Sequence, residues 1–508
     1  MVTCLFLPGV LSAEGWQTNH LSGTGLPALP YTTTPILPQL KREKLVDLEA
    51  VPGSEEWVAL DLPGNLWAAE EQSSEPRLVT RLTTDEGHFR AYNIVFAPNF
   101  PDDPRAWLAA NHIVQKVGTS LIAQVPAFLD EKQRLQIDWE SRVELLRWTS
   151  RGHDGCDLQF SPTDGMLYAS TGDGAAPGDP DNVGQTVSNH LGSILRIDVS
   201  DPSRPIRIPK DNPFLDISEM PPSIWAYGLR NPWRMSFHPT SGALFVGDNG
   251  DTSWELVRQV TRGTNHGWST FEGSVPFRLS SPLGGPVQDL TVPVYQHPHT
   301  EMRSVIGGFF YQGTKLPDLQ SQYIYGCYVT GKIWAFRWEK GTVSDVRRIA
   351  HAGAKLVSFS LDRDKEILIL THDGSIMRLS DHDEDPLPPR PIPSLLSETG
   401  LFTDTAALTP SLGVLPYEIN APPWQDGAEV IRHFGISAET ENFVQPQQSR
   451  EDHKGWHFPS GSAFAQTLVF GGKRAETRVT HVTSGEWHFL SYRWNEAQTD
   501  AHLVPEQG

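Results

Sequence analysis

His153 stands on a glycine turn, G-H-D-G at 152–155, away from any apolar face that would bury its ring. A neutral imidazole so placed suits general-base work near neutral pH. The plainer alternative is a turn histidine that only satisfies nearby backbone. Asp173 closes the stretch L-Y-A-S-T-G-D-G at 167–174, and a carboxylate there can orient the histidine by accepting its second N–H. Arg230 and Asn231 follow the strand-like I-W-A-Y. A guanidinium beside a carboxamide grips a carboxylate or a quinone oxygen, unless the arginine merely ties strands together through backbone carbonyls. The run G-D-N-G-D at 247–251, with Gly250 and Asp251 at its end, is oxygen-rich and suits a hard cation such as Ca2+, although it lacks the register of an EF-hand. The turn G-D-P-D-N at 178–182 reads as a solvated loop. Trp225, Trp254 and Trp268 either offer faces to sugar C–H groups or pack between strands. No G-x-S-x-G is present to supply a serine nucleophile, which leaves a metal-assisted hydrolysis at His153 as a third-ranked chemistry.

Two local patterns position these groups. A glycine, a small or polar residue, an aliphatic and a bulky residue open a strand in G-N-L-W at 64–67, G-S-I-L-R-I-D at 192–198, G-K-I-W-A-F-R at 331–337 and G-S-I-M-R-L-S at 374–380. A strand runs into an acidic glycine turn at 167–174, 244–251 and 367–374. Uneven spacing excludes a strict short repeat, but recurring strand–turn units suggest propeller blades with inserted loops, the competing architecture being an irregular sandwich or barrel. Residues 104–115 and 123–132 read as short helices or long inserted loops.

Composition agrees with an all-β chain. Its 508 residues exceed one small core, and 43 Gly, 41 Pro and 16 Trp favour many short strands over long helices. A net charge of −20 argues against nucleic-acid or anionic-membrane partners. No further run of 18 apolar residues spans a membrane. The three cysteines form no C-x-x-C or C-x-x-C-H, so neither covalent haem attachment nor a cysteine-rich zinc site is expected.

Taken together, H-D-G-C at 153–156, L-Y-A-S-T-G-D-G, L-G-S-I-L-R-I-D, Y-G-L-R-N-P-W-R at 227–234, G-D-N-G-D-T-S-W-E-L, N-H-G-W at 265–268 and S-V-I-G-G-F-F-Y-Q-G at 304–313 resemble the glucose/sorbosone dehydrogenase family. The resemblance covers about 45–380. It implies a six-bladed β-propeller that oxidises the anomeric hydroxyl of an aldose to a lactone, using pyrroloquinoline quinone (PQQ) and Ca2+. His153 resembles the base, Asp173 its orienting carboxylate, and Arg230 and Asn231 the pair on the quinone's reactive side. Gly250 and Asp251 fall where the family presents carbonyls to Ca2+. The sequence departs at Gly152, where an acid is usual, at Cys156, where a glycine is usual, and in the later blades. There only Lys332 and Lys355 face the task of holding the quinone carboxylates. The family also contains propellers that carry no quinone, so a non-catalytic, Ca2+-stabilised propeller binding carbohydrate or protein is the second reading.

Residues 1–15 read as a possible signal-peptide remnant, 16–44 as an N-terminal arm, 45–380 as the propeller and 381–394 as a Pro-rich linker. Residues 395–508 form a second, smaller β-rich module. L-S-E-T-G-L-F-T-D at 396–404 and P-Y-E-I-N-A-P-P-W-Q-D-G-A at 416–428 resemble the module that precedes a c-type cytochrome in large secreted bacterial proteins. That implies a periplasmic or secreted protein passing electrons to a cytochrome, either as a separate acceptor or as part of a longer fusion.

Overall fold

A computed structural model describes residues 16, 20–21, 29–73, 75–150, 152–174, 177–382, 392–421, 423–436, 445–446, 456–459, 461–483 and 486–504. Among these the regular structure is β-strand with four short 3-10 turns. The chain divides into two compact units, 29–383 and a second made of 1–28 with 384–508.

The first unit is a ring of six antiparallel sheets, each with a four-strand path. Their inner strands are Leu45–Ala50, His88–Phe96, Gly155–Phe160, Pro232–Phe237, Val305–Phe310 and Leu356–Leu361. The sixth sheet takes its outermost strand from the start of the chain: Thr32–Ile36 pairs antiparallel with Ile376–Ser380, Thr32 opposite Ser380. This pairing closes the ring by completing the last blade with a strand from before the first.

The recurrent glycine pattern marks one place in the blade. Gly64, Gly192, Gly331 and Gly374 all have positive φ and each sits just before the third strand of a blade, where a tight turn demands a backbone that L-residues rarely adopt. The acidic turns at 172–174 and 249–251 follow second strands. Both features therefore fall at the same end of the blades as the starts of the inner strands. Residues 105–114 and 123–129 are neither helices nor loops: they lie in the paired strands Arg105–Val114 and Val117–Leu129 of the second blade, and 130–132 turn out of the latter strand. Both strands bury consecutive residues, Trp107 with Leu108 and Leu121 through Ala123, and burial on both faces blurs the period-2 signal.

Arg234, on the inner strand of the fourth blade, holds the centre. It donates to Val46 O at 2.6 Å, Tyr92 O at 2.9 Å, Ser358 Oγ at 2.9 Å and Asp157 Oδ1 at 3.3 Å. One guanidinium thus joins the fourth blade to the first, second, third and sixth. Burial pushes Asp157 up to about 7 and Asp47 up to about 6, with the Arg234 charge opposing both shifts.

The second unit holds a six-stranded antiparallel sheet ordered Val414–Pro416, Glu429–Gly435, Ala463–Phe470, Lys473–Thr483, Glu486–Trp494, Ala501–Leu503. One face packs a core of Leu396, Leu401, Phe402, Tyr492 and Trp494. Trp16 belongs to that core, with Trp16 Nε1 donating to Gly400 O at 3.0 Å. The arm expected over 16–44 is therefore shared, its first part in this unit and its later part in the ring. Residues 1–15, and 383–391 of the linker, lie outside the described residues.

Candidate active site

Two loops of the third blade bring His153 to Asp173. His153 precedes the inner strand Gly155–Phe160, and Asp173 follows the second strand Leu167–Thr171. Gly172 is what allows them to meet: a Cβ there would lie 2.2 Å from His153 O. His153 Nδ1 lies 2.8 Å from Asp173 Oδ1. An ionised carboxylate only accepts, so in that form the pair assigns the proton to Nδ1 and leaves the Nε2 lone pair free. The imidazole is 25% exposed and Asp173 fully buried, so the base faces outward while its orienter is held in dry surroundings.

Asp173 Oδ2 accepts Trp268 Nε1–H at 2.7 Å, and Asp173 N donates to Arg230 O at 2.7 Å. Trp268 is buried, stacks on Phe277 at 5.2 Å and carries the Arg230 guanidinium 5.4 Å from its ring centroid. It is thus a positioning residue rather than a sugar platform. Trp225 packs edge-on to Tyr168 and under Arg196, within its blade. The next residue after the base, Asp154, lies inside the H-D-G-C stretch but carries no chemical role legible there, although it anchors the whole turn. Its carboxylate accepts Tyr92 Oη–H at 2.5 Å, Asn111 Nδ2–H at 2.9 Å and the Ser150 hydroxyl, and with burial it pushes the Tyr92 phenol well above its ordinary range.

Arg230 and Asn231 lie in the connection from third to fourth blade. Both backbone N–H groups donate to Asp248 Oδ1, at 3.0 and 2.9 Å, and Arg258 Nε holds the other Asp248 oxygen at 2.7 Å. Asn231 Nδ2 donates to Asn249 Oδ1 at 3.0 Å. The tying role considered for Arg230 is met weakly by its Nη1, which donates to Asn249 O at 3.5 Å, and far more fully by Arg234, four residues on. Arg230 Nε and Asn231 Oδ1 are buried without a hydrogen-bond partner; unsatisfied polar atoms of this kind suit contact with a polar ligand.

The 247–251 loop is built around anions of the chain itself. Asp251 Oδ1 pairs with Arg230 Nη2 at 2.7 Å, the two side chains 8% and 10% exposed. Glu272 Oε1 accepts the four successive amides of Asp251, Thr252, Ser253 and Trp254, at 2.7 to 3.2 Å. Among the described residues no group of three or more His, Cys, Asp or Glu side chains is arranged to hold a metal. The Gly250 and Asp251 carbonyls fall short of the six to eight oxygens Ca2+ takes. The residues present therefore do not make a Ca2+ cage by themselves. Lys332 opens a third strand and Lys355 precedes an inner strand, so both sit at the His153 end; Lys355 Nζ lies 5.6 Å from the Tyr328 ring centroid. A cavity of about 610 Å³ opens at the opposite end, lined by Glu49, Gln159, Phe309, Leu361 and Lys365. Gln159 lies at the far end of the strand that His153 precedes, so this cavity is separate from the His153 chemistry.

The model of a family described as glucose/sorbosone dehydrogenase matches residues 48–378. HIPL1 protein of Arabidopsis thaliana is 36% identical over 216 residues, 38% of this chain and 31% of that protein. The chain thus spans about a third of the length of the first curated relatives it matches. Aldose sugar dehydrogenase YliI of Escherichia coli K12 is 24% identical, over 61% of this chain and 81% of that protein. The PQQ-bound aldose sugar dehydrogenase structure from Streptomyces coelicolor superposes with a TM-score of 0.53 at 18% identity, covering 70% of this chain and all of that one; at that identity it speaks for the fold.

Proposed function

The chain belongs to the glucose/sorbosone dehydrogenase family, and from that membership we propose that it is an aldose dehydrogenase acting on an anomeric hydroxyl. The observation that carries the reading is the His153–Asp173 pair, with Nε2 turned outward and Nδ1 engaged at 2.8 Å. Nε2 takes the hydroxyl proton as the sugar's C1 hydrogen leaves as hydride, and Asp173 stabilises the imidazolium that forms. PQQ, when bound, supplies the hydride acceptor. Arg230 and Asn231 would face its carbonyl side, their unpartnered Nε and Oδ1 atoms fitting polar contact there. The product is a lactone, released into water. Ca2+, where bound, would be held in part by the Gly250 and Asp251 carbonyls. We further propose a periplasmic or secreted location and a c-type cytochrome as electron acceptor, on the resemblance of the C-terminal module.

A second reading has one observation in its favour: Asp251 already neutralises Arg230. On it, the propeller is non-catalytic and binds carbohydrate or protein. Reconstitution of the purified chain with PQQ and Ca2+, followed by dye reduction over an aldose panel, separates the two. Turnover in the wild type that His153→Ala and Arg230→Ala abolish supports the dehydrogenase. Absence of quinone binding with Ca2+ present overturns it in favour of the binding propeller.

A further inference from the structure

The sheet of the C-terminal unit has one face in the core and one that carries aromatic rings. Strand alternation puts His433, Ala465, Val479 and Tyr492 inward, all buried. Their outward neighbours fall into two adjacent cross-strand rows. The first is Phe434–Phe464–Thr480–Phe489 and the second Arg432–Gln466–Arg478–Ser491. With neighbouring strands about 4.8 Å apart, each row runs about 14 Å across the sheet.

The first row is the centre of a larger aromatic patch. Phe434 and Phe464 stack with centroids 6.2 Å apart, Phe458 meets Phe464 at 4.9 Å, and Trp487 lies 5.8 Å from Phe458 and 6.0 Å from Phe464. Trp487 is 43% exposed and Phe489 73% exposed. A sheet face turned from its core ordinarily carries polar side chains, so exposed rings in register mark a binding surface. The neighbouring row supplies a carboxamide and two guanidinium forks; in the row beyond it Glu476 stands opposite Arg493 and takes Arg478 Nε at 3.2 Å, leaving Arg432 as the fork with no carboxylate on it among the described residues. Among the described residues, three arginines against one glutamate give this face a positive excess on a chain of net charge −20.

We propose that this face binds an acidic glycan: pyranose C–H faces lie on the ring row, while uronate carboxylates and hydroxyls meet Arg432, Gln466 and Arg478. Flat apolar faces alternating with carboxylate and paired hydroxyls along one chain match the two parallel rows. A purely apolar partner would make no use of Arg432, and a simple polyanion would have no use for the rings. The site stands independently of any sugar oxidation by the propeller.

Affinity electrophoresis of the full chain through gels containing polygalacturonate, a neutral β-glucan or polyglutamate tests it. Retardation by polygalacturonate is expected, weakened at least about tenfold in Trp487→Ala and in Phe489→Ala, each truncating an exposed ring. Arg432→Gln should weaken it and reduce its salt dependence. Unchanged melting temperatures identify the variants as folded, and Phe489→Ala stands alone if Trp487→Ala does not fold. Equal retardation by polyglutamate, binding of the β-glucan only, or no retardation overturns the proposal. So does self-association abolished by the ring variants, which would assign the face to a second copy of the chain.

Discussion

Trp268 Nε1 donates to Asp173 Oδ2 at 2.7 Å while the same indole ring supports the Arg230 guanidinium. One buried side chain therefore connects the proposed base, through its orienter, to the proposed cofactor-facing arginine. Trp268→Phe keeps the ring between Phe277 and Arg230 and removes only the N–H. Removing one donor from a buried carboxylate oxygen costs about 1–3 kcal/mol, so Asp173 should be held less rigidly and orient His153 less firmly. The expected result is loss of a single Nδ1–H tautomer in the ring nitrogen spectrum of His153. Under the dehydrogenase reading, turnover falls about tenfold with a displaced pH profile. An unchanged His153 spectrum in the variant would show that Trp268 only fills space.

The Arg230–Asp251 ion pair is nearly dry, so its partners differ in what their removal does. Arg230→Met leaves Asp251 buried without its cation and is expected to cost about 3 kcal/mol in urea unfolding. Asp251→Asn leaves the guanidinium charged and released from its counter-ion. That variant should bind an anionic quinone about tenfold more tightly than wild type, read by titration of the cofactor. Equal affinity in the two proteins would mean that Asp251 does not compete for Arg230.

Asp157 gives the ring a pH dependence of definite sign. Burial raises its pKa to about 7, whereas an unfolded aspartate titrates near 3.9. The folded state thus binds the proton more tightly. Its contribution to stability is full below about pH 4 and is lost as pH rises through about 7. Asp47, raised to about 6, acts in the same direction. In Asp157→Asn the group cannot ionise, and the carboxamide oxygen can still accept Met235 N–H, a bond of 2.8 Å in the native protein. Melting temperature measured from pH 4 to 8 should fall less in the variant than in wild type; parallel curves would count against the assignment.

Arg234 makes its four contacts with groups from four other blades. Arg234→Met leaves Asp157 and two backbone carbonyls without their donor. A loss of about 3–5 kcal/mol is expected in equilibrium unfolding, larger than for Arg363→Met, whose guanidinium also bonds backbone carbonyls, those of Ser54 and Glu56, but at a partly exposed edge.

The blade logic was legible wherever a local backbone requirement left a residue signature. Gly64, Gly192, Gly331 and Gly374 recur because each must turn the chain through positive φ before a third strand. His153 and Asp173 stood out because glycine turns flank both. Strands Arg105–Val114 and Val117–Leu129 were hidden, since burial on both sides erased their alternation. Asp154 was hidden too: its importance lies in donors from the second blade, not in its neighbours.

Local sequence dictates an inventory: an all-β chain, recurrent strand–turn units, and a histidine, an arginine and acidic turns placed at blade ends. These follow from φ preferences and side-chain alternation, which act over a few residues. Which of several equivalent partners each group met was settled only by the assembled ring. It closed with Thr32–Ile36, brought Trp268 across 95 residues to Asp173, turned the Asp251 carboxylate toward Arg230, and placed Arg234 at the centre. Similar blades offer similar local patterns, so the choice among them rests on packing and hydrogen bonding between residues far apart in the chain, where local periodicity carries no information.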